Sequence, residues 1–480
     1  MKDATRIEQL SYRADAAALF GAAAAEPWAV LLDSNAHHAG GGRWDILALA
    51  PRATLHTVGA VTEIRTGNRR RRSRADPLHL LREAIGPRVY SAAAAEPGLP
   101  FIGGAIGWLG YDLGRRLERL GLQAPLPAGA PQMAVGIYDW ALLVDHHARA
   151  AYLVGQGSPA DPRRQRLLRL AQEWEPAPCL PFRVTGPLLS DMDQTDYARR
   201  FAAVQDYIRA GDCYQVNLAR RWQAPCAGDP WSAYRVLRQL NPAPFAAYLN
   251  TPGMQVLSAS PERFLSLRDG LVETRPIKGT AARDPNPARD RALAAGLAAS
   301  AKDRAENLMI VDLLRNDLGR CCETASIRVP ELFKVESYAG VHHLVSTVTG
   351  RLRADADAAA LLCGCFPGGS ITGAPKIRSM QIIDELERAP RGVYCGSIGY
   401  IGFDGAMDTN IAIRTATVCN GRLDFRAGGG LVVDSDCDAE WAEIGLKARA
   451  MLELVGAVSG DAWPALGRDR GAVAWRSDLV

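Results

Sequence analysis

GIYDWALLVD (136–145) and, a few residues on, AAYLVGQ (150–156) are short apolar runs with a polar break between them. WAVLLDS (28–34) and WDILALA (44–50) repeat the pattern, and Gly/Pro breaks punctuate the first 180 or so residues in the same way. Apolar runs of this length bounded by turn residues are antiparallel strand grammar. The proline-rich stretch EPAPCLPF (175–182) marks a boundary, and a helix follows it. Thr195 is placed to cap that helix, Tyr197, Phe201, Val204 and Ile208 recur on one face, and Gly211 ends it. The strand CYQVNLARRW (213–222) comes next. Beyond it strands and helices alternate without regular βαβ spacing, a dinucleotide fingerprint or a solenoid-length repeat. These observations predict an α+β fold with large, mostly antiparallel sheets.

A chain of 480 residues, 48% hydrophobic and 22% charged, has the balance of a soluble globular protein with a sizeable core. The net charge of +4 is small for this size and makes no general case for nucleic-acid or membrane binding. No window is apolar enough to span a bilayer, and MKDATRIEQLSYRAD (1–15) lacks the apolar run of a secretory leader. The ten cysteines are scattered without zinc or redox spacing, which fits reduced thiols in the cytoplasm. The arginine run at 69–74 follows an alternating segment and a Gly-Asn turn, so a solvated hairpin tip is expected there. The last fifteen residues read as weakly ordered.

Four segments carry chemistry. In CFPGGSITGAPKIRSM (365–380) Gly368 and Gly373 have phosphate-loop spacing, but Ala-Pro-Lys replaces the Gly-Lys-Ser/Thr that motif requires, so a nucleotide loop is excluded. What remains is either a helix start with Pro375 in its first turn, whose free N–H groups attract an anion, or simply a tight loop. After the glycine run Gly428, Gly429 and Gly430, a helix buries Trp441, Ile444, Ala448, Leu452 and Val455. Glu440, Glu443 and Lys447 share a neighbouring stripe of that helix, with Glu443 and Lys447 at ion-pair spacing. In AKDRAENLMIVDLLRNDLGR (301–320) the stripe Leu308, Val311, Leu314 and Leu318 reads as core, while Asp303 and Glu306 lie one turn apart near the start. Carboxylates from two helices without a Cys/His set suit a hard cation such as Mg²⁺ that keeps several waters. ETRPIKGT (273–280) ends a strand and runs into a turn at Gly279, with Lys278 beside it. A lysine so placed is usually solvated.

Together with GDCYQVNLARRW (211–222), SASPERFL (258–265), VHHLVSTVTG (341–350) and GVYCGSIGYIGFDGAMDTNIAIRTA (392–416), these motifs resemble those of the chorismate-utilising enzymes, in order, over roughly residues 186 to 460. LLDSNAHHAGGGRWDILALAP (31–51) is similar, more loosely, to that family's first domain. The resemblance implies an α/β/β/α sandwich with two mostly antiparallel sheets. It also implies an N-terminal domain at 1–180, a chorismate-binding domain at 186–460 and a tail at 461–480. It implies Mg²⁺ on Glu306 and Glu443, with Glu440 close by, anchoring the ring carboxylate of chorismate. Tyr394, Arg414, Lys447 and the amides of Gly428, Gly429 and Gly430 would hold the enolpyruvyl side. Ser370 would position the ring, Glu262 would protonate the leaving C4 hydroxyl, and His343 would line the same region.

Members of the family differ in the nucleophile that attacks ring carbon C2. Isochorismate- and salicylate-forming members carry a base lysine where this chain has Gln215, and anthranilate-forming members carry alanine where Lys278 stands. Members that make 4-amino-4-deoxychorismate carry the lysine. The resemblance therefore implies attack by Lys278 at C2 and then by ammonia at C4, with anthranilate formation as the rival. Burial and nearby Mg²⁺ would favour the neutral amine this needs. The chain shows no amidotransferase nucleophile with a downstream His-x-Glu and no lyase domain. A separate glutamine amidotransferase subunit is thus expected to supply ammonia, and another protein to form p-aminobenzoate for folate synthesis. LLDS (31–34) and NPAPFA (241–246) match, in altered form, pieces of the tryptophan pocket of anthranilate-forming members, so the resemblance gives Ser34, Pro244 and Phe245 either a structural tryptophan to hold or nothing.

Overall fold

The computed structural model describes residues 5–35, 42–89, 98–118, 120, 129–172, 180–338, 340–459; the expected tail at 461–480 and most of the connector 175–182 lie outside them. Two sheets dominate, of 13 and 12 strands among the described residues, and the pairings within them are antiparallel. The first runs Arg6–Leu10, Ala150–Gly155, Trp140–Asp145, Trp44–Ala48, Ala29–Asp33, Phe245–Thr251, Met254–Ser260, Thr415–Cys419, Arg422–Leu431, Gln215–Ala227 and Arg183–Val184. The second begins Ile277–Ala282, Val341–Arg351, Leu271–Thr274, Arg263–Arg268, Met407–Asn410, Ser397–Gly402 and ends at the hairpin Val61–Thr66/Arg69–Ser73. Both sheets draw strands from the first 180 residues and from the rest of the chain, so the two segments interleave.

The alternating runs that opened the sequence become interior faces. Val30, Ile46 and Ala48 of the first sheet pack with Ile106, Trp108 and Ala134 of the second, burying Trp108 completely. A second, larger core joins the sheets to the helices, which lie outside them. This is the expected sandwich. Burying each such large apolar side chain contributes about 1.5–3 kcal/mol.

Local expectations needed correction in four places. Asp193, not Thr195, caps the helix Gln194–Arg209, because its carboxylate reaches the Asp196 N–H at 2.7 Å. Leu308 is 52% exposed rather than core. The buried stripe of Ala301–Gly319 is Asn307, Ile310, Val311, Leu314, Asp317 and Leu318, and Asn307 takes the inward place by bonding the Leu344 carbonyl and Ser346. The arginines at 69–72 form a hairpin arm rather than its tip, with Arg70 and Arg72 on Glu63 across the strand pair. Gly279 is not a turn. It sits within the strand Ile277–Ala282 at φ +80°, where the register on Val341–Arg351 slips between Ile277 and Thr280. A bulge of this kind re-aims the residue beside it, which here is Lys278.

Candidate active site

The bulged strand, the two acidic helices, the glycine run and the 366–375 loop bring their side chains into one space. Lys278 is half-buried, and burial pulls its ammonium below the usual lysine range; Lys447 adds to this while Glu306, Glu262 and Glu443 oppose it. Glu262 follows the strand end at Ser260, with its N–H on Ser260 Oγ and its carbonyl accepting from the Ile411 N–H. It is 5% exposed. Burial pushes its carboxyl up, while a hydrogen bond from Ser370, the charge of Lys278, the Ile277 N–H and Lys447 pull the other way. A carboxyl whose proton is favoured, beside an ammonium whose proton is disfavoured, is an acid–base pair drawn toward the state in which one donates and the other attacks.

His343 is buried in Val341–Arg351, opposite Thr280, whose Oγ1 lies 2.9 Å from its Nδ1. Burial and the charge of Arg414 hold its imidazole down at about 4, which favours the neutral ring near neutral pH. Arg414 stands at φ +49° with Nη1 donating to Asn241 Oδ1 at 3.1 Å. Tyr394 is buried, and burial pushes its hydroxyl up. Gly428, Gly429 and Gly430 pair with Ala219, Leu218 and Asn217 on one side, whereas Thr415–Cys419 pairs with that strand only over residues 422–425. The glycine run thus keeps one backbone edge that no described strand pairs with. A Cβ would be crowded there: on Gly428 it would lie 2.6 Å from the Leu218 carbonyl, on Gly429 3.0 Å from Glu440 Oε2 and on Gly430 2.8 Å from Gln215 Nε2. Gln215 is fully buried and neither of its amide atoms has a partner.

The acids gather on two helix starts. Glu306 is half-buried, its carboxyl pushed up by burial and by the charges of Glu440 and Glu443, against the pull of Lys278 and Lys302. Glu440 is 3% exposed, accepts from Ser435 Oγ at 2.8 Å and has Lys302 Nζ at 3.7 Å. Glu443 is exposed and pairs with Lys447 at 2.6 Å, the spacing foreseen; its carboxyl is held down by Lys447 although desolvation works the other way. Among the described residues no three acid, imidazole or thiol groups converge closely enough to ligate one ion directly. An all-oxygen set of mutually repelling carboxylates at wider spacing fits a cation that keeps part of its water and takes further oxygens from a ligand.

Some of these partners escaped the sequence reading. Lys302 stands one helical turn before Glu306, and that i,i+4 spacing was its only signal. Ser435 and Thr280 carried no signal, since each acts through a fold contact. The 366–375 loop is tight, and a helix starts after it at Lys376 with Pro375 at its N-cap rather than in its first turn; Ala374, Lys376 and Ser379 are buried against protein, and Ser379 Oγ donates to the Gln215 carbonyl. Ser34 and Pro244 come together around Gly42, where an added Cβ would lie 3.0 Å from Ser34 Cβ and 3.3 Å from the Pro244 carbonyl. Ser34 is itself bonded to Asp45 through both its N–H and its hydroxyl, at 2.7 Å each. Phe245 turns its ring under the Arg263 guanidinium, 5.1 Å away.

With this geometry goes a family. The chain belongs to the chorismate-binding enzymes, whose model, described as chorismate binding enzyme, matches residues 39–453. It is 48% identical over 444 residues to aminodeoxychorismate synthase component 1 of Klebsiella aerogenes, covering 92% of this chain and 97% of that one. To the protein of the same name from Escherichia coli (strain K12) it is 46% identical over 445 residues, again 92% and 97% of the two chains. Among solved structures, anthranilate synthase component I from Streptococcus pneumoniae TIGR4 superposes with a TM-score of 0.74 at 33% identity, covering 85% of this chain and 92% of that one. The sandwich is the anthranilate synthase component I fold.

Proposed function

We propose that this enzyme converts chorismate and ammonia to 4-amino-4-deoxychorismate and water, with Lys278 as a covalent nucleophile. The observation that carries the reading is Lys278 itself, aimed by the Gly279 bulge into a space shared with Glu262, Glu306 and Lys447. Neutral Lys278 Nζ attacks ring carbon C2. The double bonds shift, the C4–O bond breaks, and Glu262 gives its proton to the departing hydroxyl, which leaves as water. The substituted amine returns a proton to the Glu262 carboxylate, and ammonia then attacks C4. The double bonds shift back, and the C2–N bond breaks as Lys278 regains a proton from the incoming ammonium. Two displacements leave nitrogen at C4 with net retention.

Glu306 and Glu443, with Glu440 close by, would hold Mg²⁺. When bound it neutralises the ring carboxylate and this acidic cluster. Arg414, Tyr394, Lys447 and the open edge at Gly428, Gly429 and Gly430 would hold the enolpyruvyl group, and Ser370 and His343 would flank the ring. Ammonia comes from a separate glutamine amidotransferase subunit, in keeping with the component 1 names of the relatives, and a further protein makes p-aminobenzoate. The protein works in the cytoplasm; no described helix is long and apolar enough to cross a membrane. The Ser34–Pro244 wall would take tryptophan, and denatured protein that releases none and calorimetry that finds no binding remove that ligand.

The decisive experiment incubates purified protein with chorismate, Mg²⁺ and ammonium at mildly alkaline pH and identifies the product by mass and retention time. Aminodeoxychorismate that disappears with EDTA, and again in Lys278→Ala with its melting temperature unchanged, is the expected result. Anthranilate and pyruvate from the wild-type protein refute the role given to Lys278.

A further inference from the structure

Lys376 and Asp317 form a buried ion pair that the mechanism above leaves unused. The Lys376 side chain is 7% exposed and the Asp317 side chain 5%. Lys376 Nζ donates to Asp317 Oδ2 at 2.6 Å and to the Cys365 carbonyl at 2.8 Å. Lys376 opens the helix Lys376–Leu386, whereas Cys365 closes the helix Ala358–Cys365. One ammonium therefore fastens both ends of the loop 366–375. Asp317 belongs to Ala301–Gly319, the helix that carries Glu306 in its second turn, so the loop is fastened to an element bearing part of the acidic cluster.

Inside that loop the short turn Gly369–Ile371 is wedged on the same helix: a Cβ on Gly369 would lie 2.6 Å from Leu313 Cδ2 and 3.8 Å from Asp317 Oδ2. Thr372 Oγ1 closes the turn on the Gly368 and Gly369 carbonyls at 3.0 and 3.2 Å. The turn, buried in the fold, presents Ser370 to Glu262, near enough for its hydroxyl to hold that carboxyl down. We propose that the Lys376–Asp317 pair is a positioning element for turnover, clamping the 366–375 loop so that Ser370 stays on Glu262. This rests on the reading of Glu262 as the proton donor.

The charged groups facing Glu262 are Lys278 from the bulged strand and Lys447 from the Cys437–Val458 helix; those facing Asp317 are Lys376, Arg320 and Glu118. Ser370 lowers the Glu262 carboxyl, so losing that bond raises it. Asp317 already sits at about 6 through burial, so Lys376→Met leaves a carboxyl that can take up a proton in place of its lost partner. A merely structural pair would alter stability and rate but not the position of a titration.

The test measures kcat/KM against pH, with melting curves, for wild type, Ser370→Ala, Lys376→Met and the double variant, using ammonium as nitrogen donor. Ser370→Ala is expected to move one limb of the profile to higher pH. Lys376→Met should move the same limb in the same direction and lower kcat/KM about 10- to 100-fold, as a small misplacement of a reacting group does. The double variant should move it no further than Ser370→Ala alone. Should Lys376→Met fail to fold, the near-isosteric Asp317→Asn takes its place with the same expectation. A rate loss with the limb unmoved, or additive shifts in the double variant, overturns the proposal. A profile unmoved by Ser370→Ala overturns it through its premise, the role of Glu262.

Discussion

Gly279→Ala tests how closely the bulge governs the chemistry. At φ +80° an L-residue costs about 1–2 kcal/mol that glycine does not. The added Cβ would also lie 2.9 Å from Asp303 Cγ and Oδ1 and 3.0 Å from Asp303 Cβ. Because Asp303 Cβ is itself involved, rotation of the carboxylate does not clear the contact, and either the strand or the helix must move. Overpacking of this kind costs about 1–3 kcal/mol, so the combined loss is about 2–5 kcal/mol. With unfolding entropy of about 2.1 cal/mol/K per residue, 1 kcal/mol corresponds to about 1 °C in a chain of this length, giving a fall of about 2–5 °C. The functional effect should be larger. Relief through the strand displaces Lys278, and relief through the helix displaces Glu306, three residues beyond Asp303. Either misplacement should lower kcat/KM by about 10²-fold. The assay is aminodeoxychorismate formation with ammonium alongside a thermal melt, for Gly279→Ala and for Gly279→Ala/Asp303→Ala. The double variant removes the Cγ and Oδ1 contacts and recovers part of the melting temperature, leaving the Cβ contact and the φ cost in place. Wild-type activity in Gly279→Ala would refute the claim that the bulge aims Lys278.

Three further outcomes follow from the same geometry. Since burial raises the Glu262 carboxyl from 4.5 and lowers the Lys278 ammonium from 10.5, both limbs of the pH–kcat/KM profile should lie inside those two values, and limbs at the ordinary positions would contradict the pairing. Ser435→Ala removes the hydroxyl that donates to Glu440 Oε1 and should weaken Mg²⁺ binding, measured by calorimetry, about 10-fold; unchanged affinity would detach Glu440 from the metal. Glu387→Ala leaves the Arg391 guanidinium, 1% exposed, without its carboxylate and should cost about 3–5 kcal/mol in a melt or denaturant titration, whereas Asp355→Ala, in an exposed pair with Arg353, should cost under about 1 kcal/mol.

The sequence by itself determined much of this protein. Short continuous apolar runs between turn residues specify strands buried on both faces, because successive side chains point to opposite sides and both sides are apolar, as in Trp140–Asp145. The 3.6-residue period likewise put Glu443 and Lys447 within reach of each other before any fold was known. Residue identity in a recurring motif order marked Lys278, Glu262 and Glu306 as candidates. Where sequence reasoning slipped, competing local options were close in energy. Asp193 and Thr195 can both cap a helix, and the inward stripe of Ala301–Gly319 depended on Asn307 finding partners on a distant strand.

What only the tertiary structure decided is which groups share a low-dielectric space. Lys278 and Glu306 come from different elements, and neither titration shift exists until burial removes water from both. That Gly279 is a bulge within a strand follows from its register on Val341–Arg351. That Lys376 closes a loop rather than facing solvent follows from its contacts with Asp317 and Cys365. Periodicity reports which side of an element is buried, but the partner across the gap is a long-range choice, and both proton affinity and aim depend on that partner.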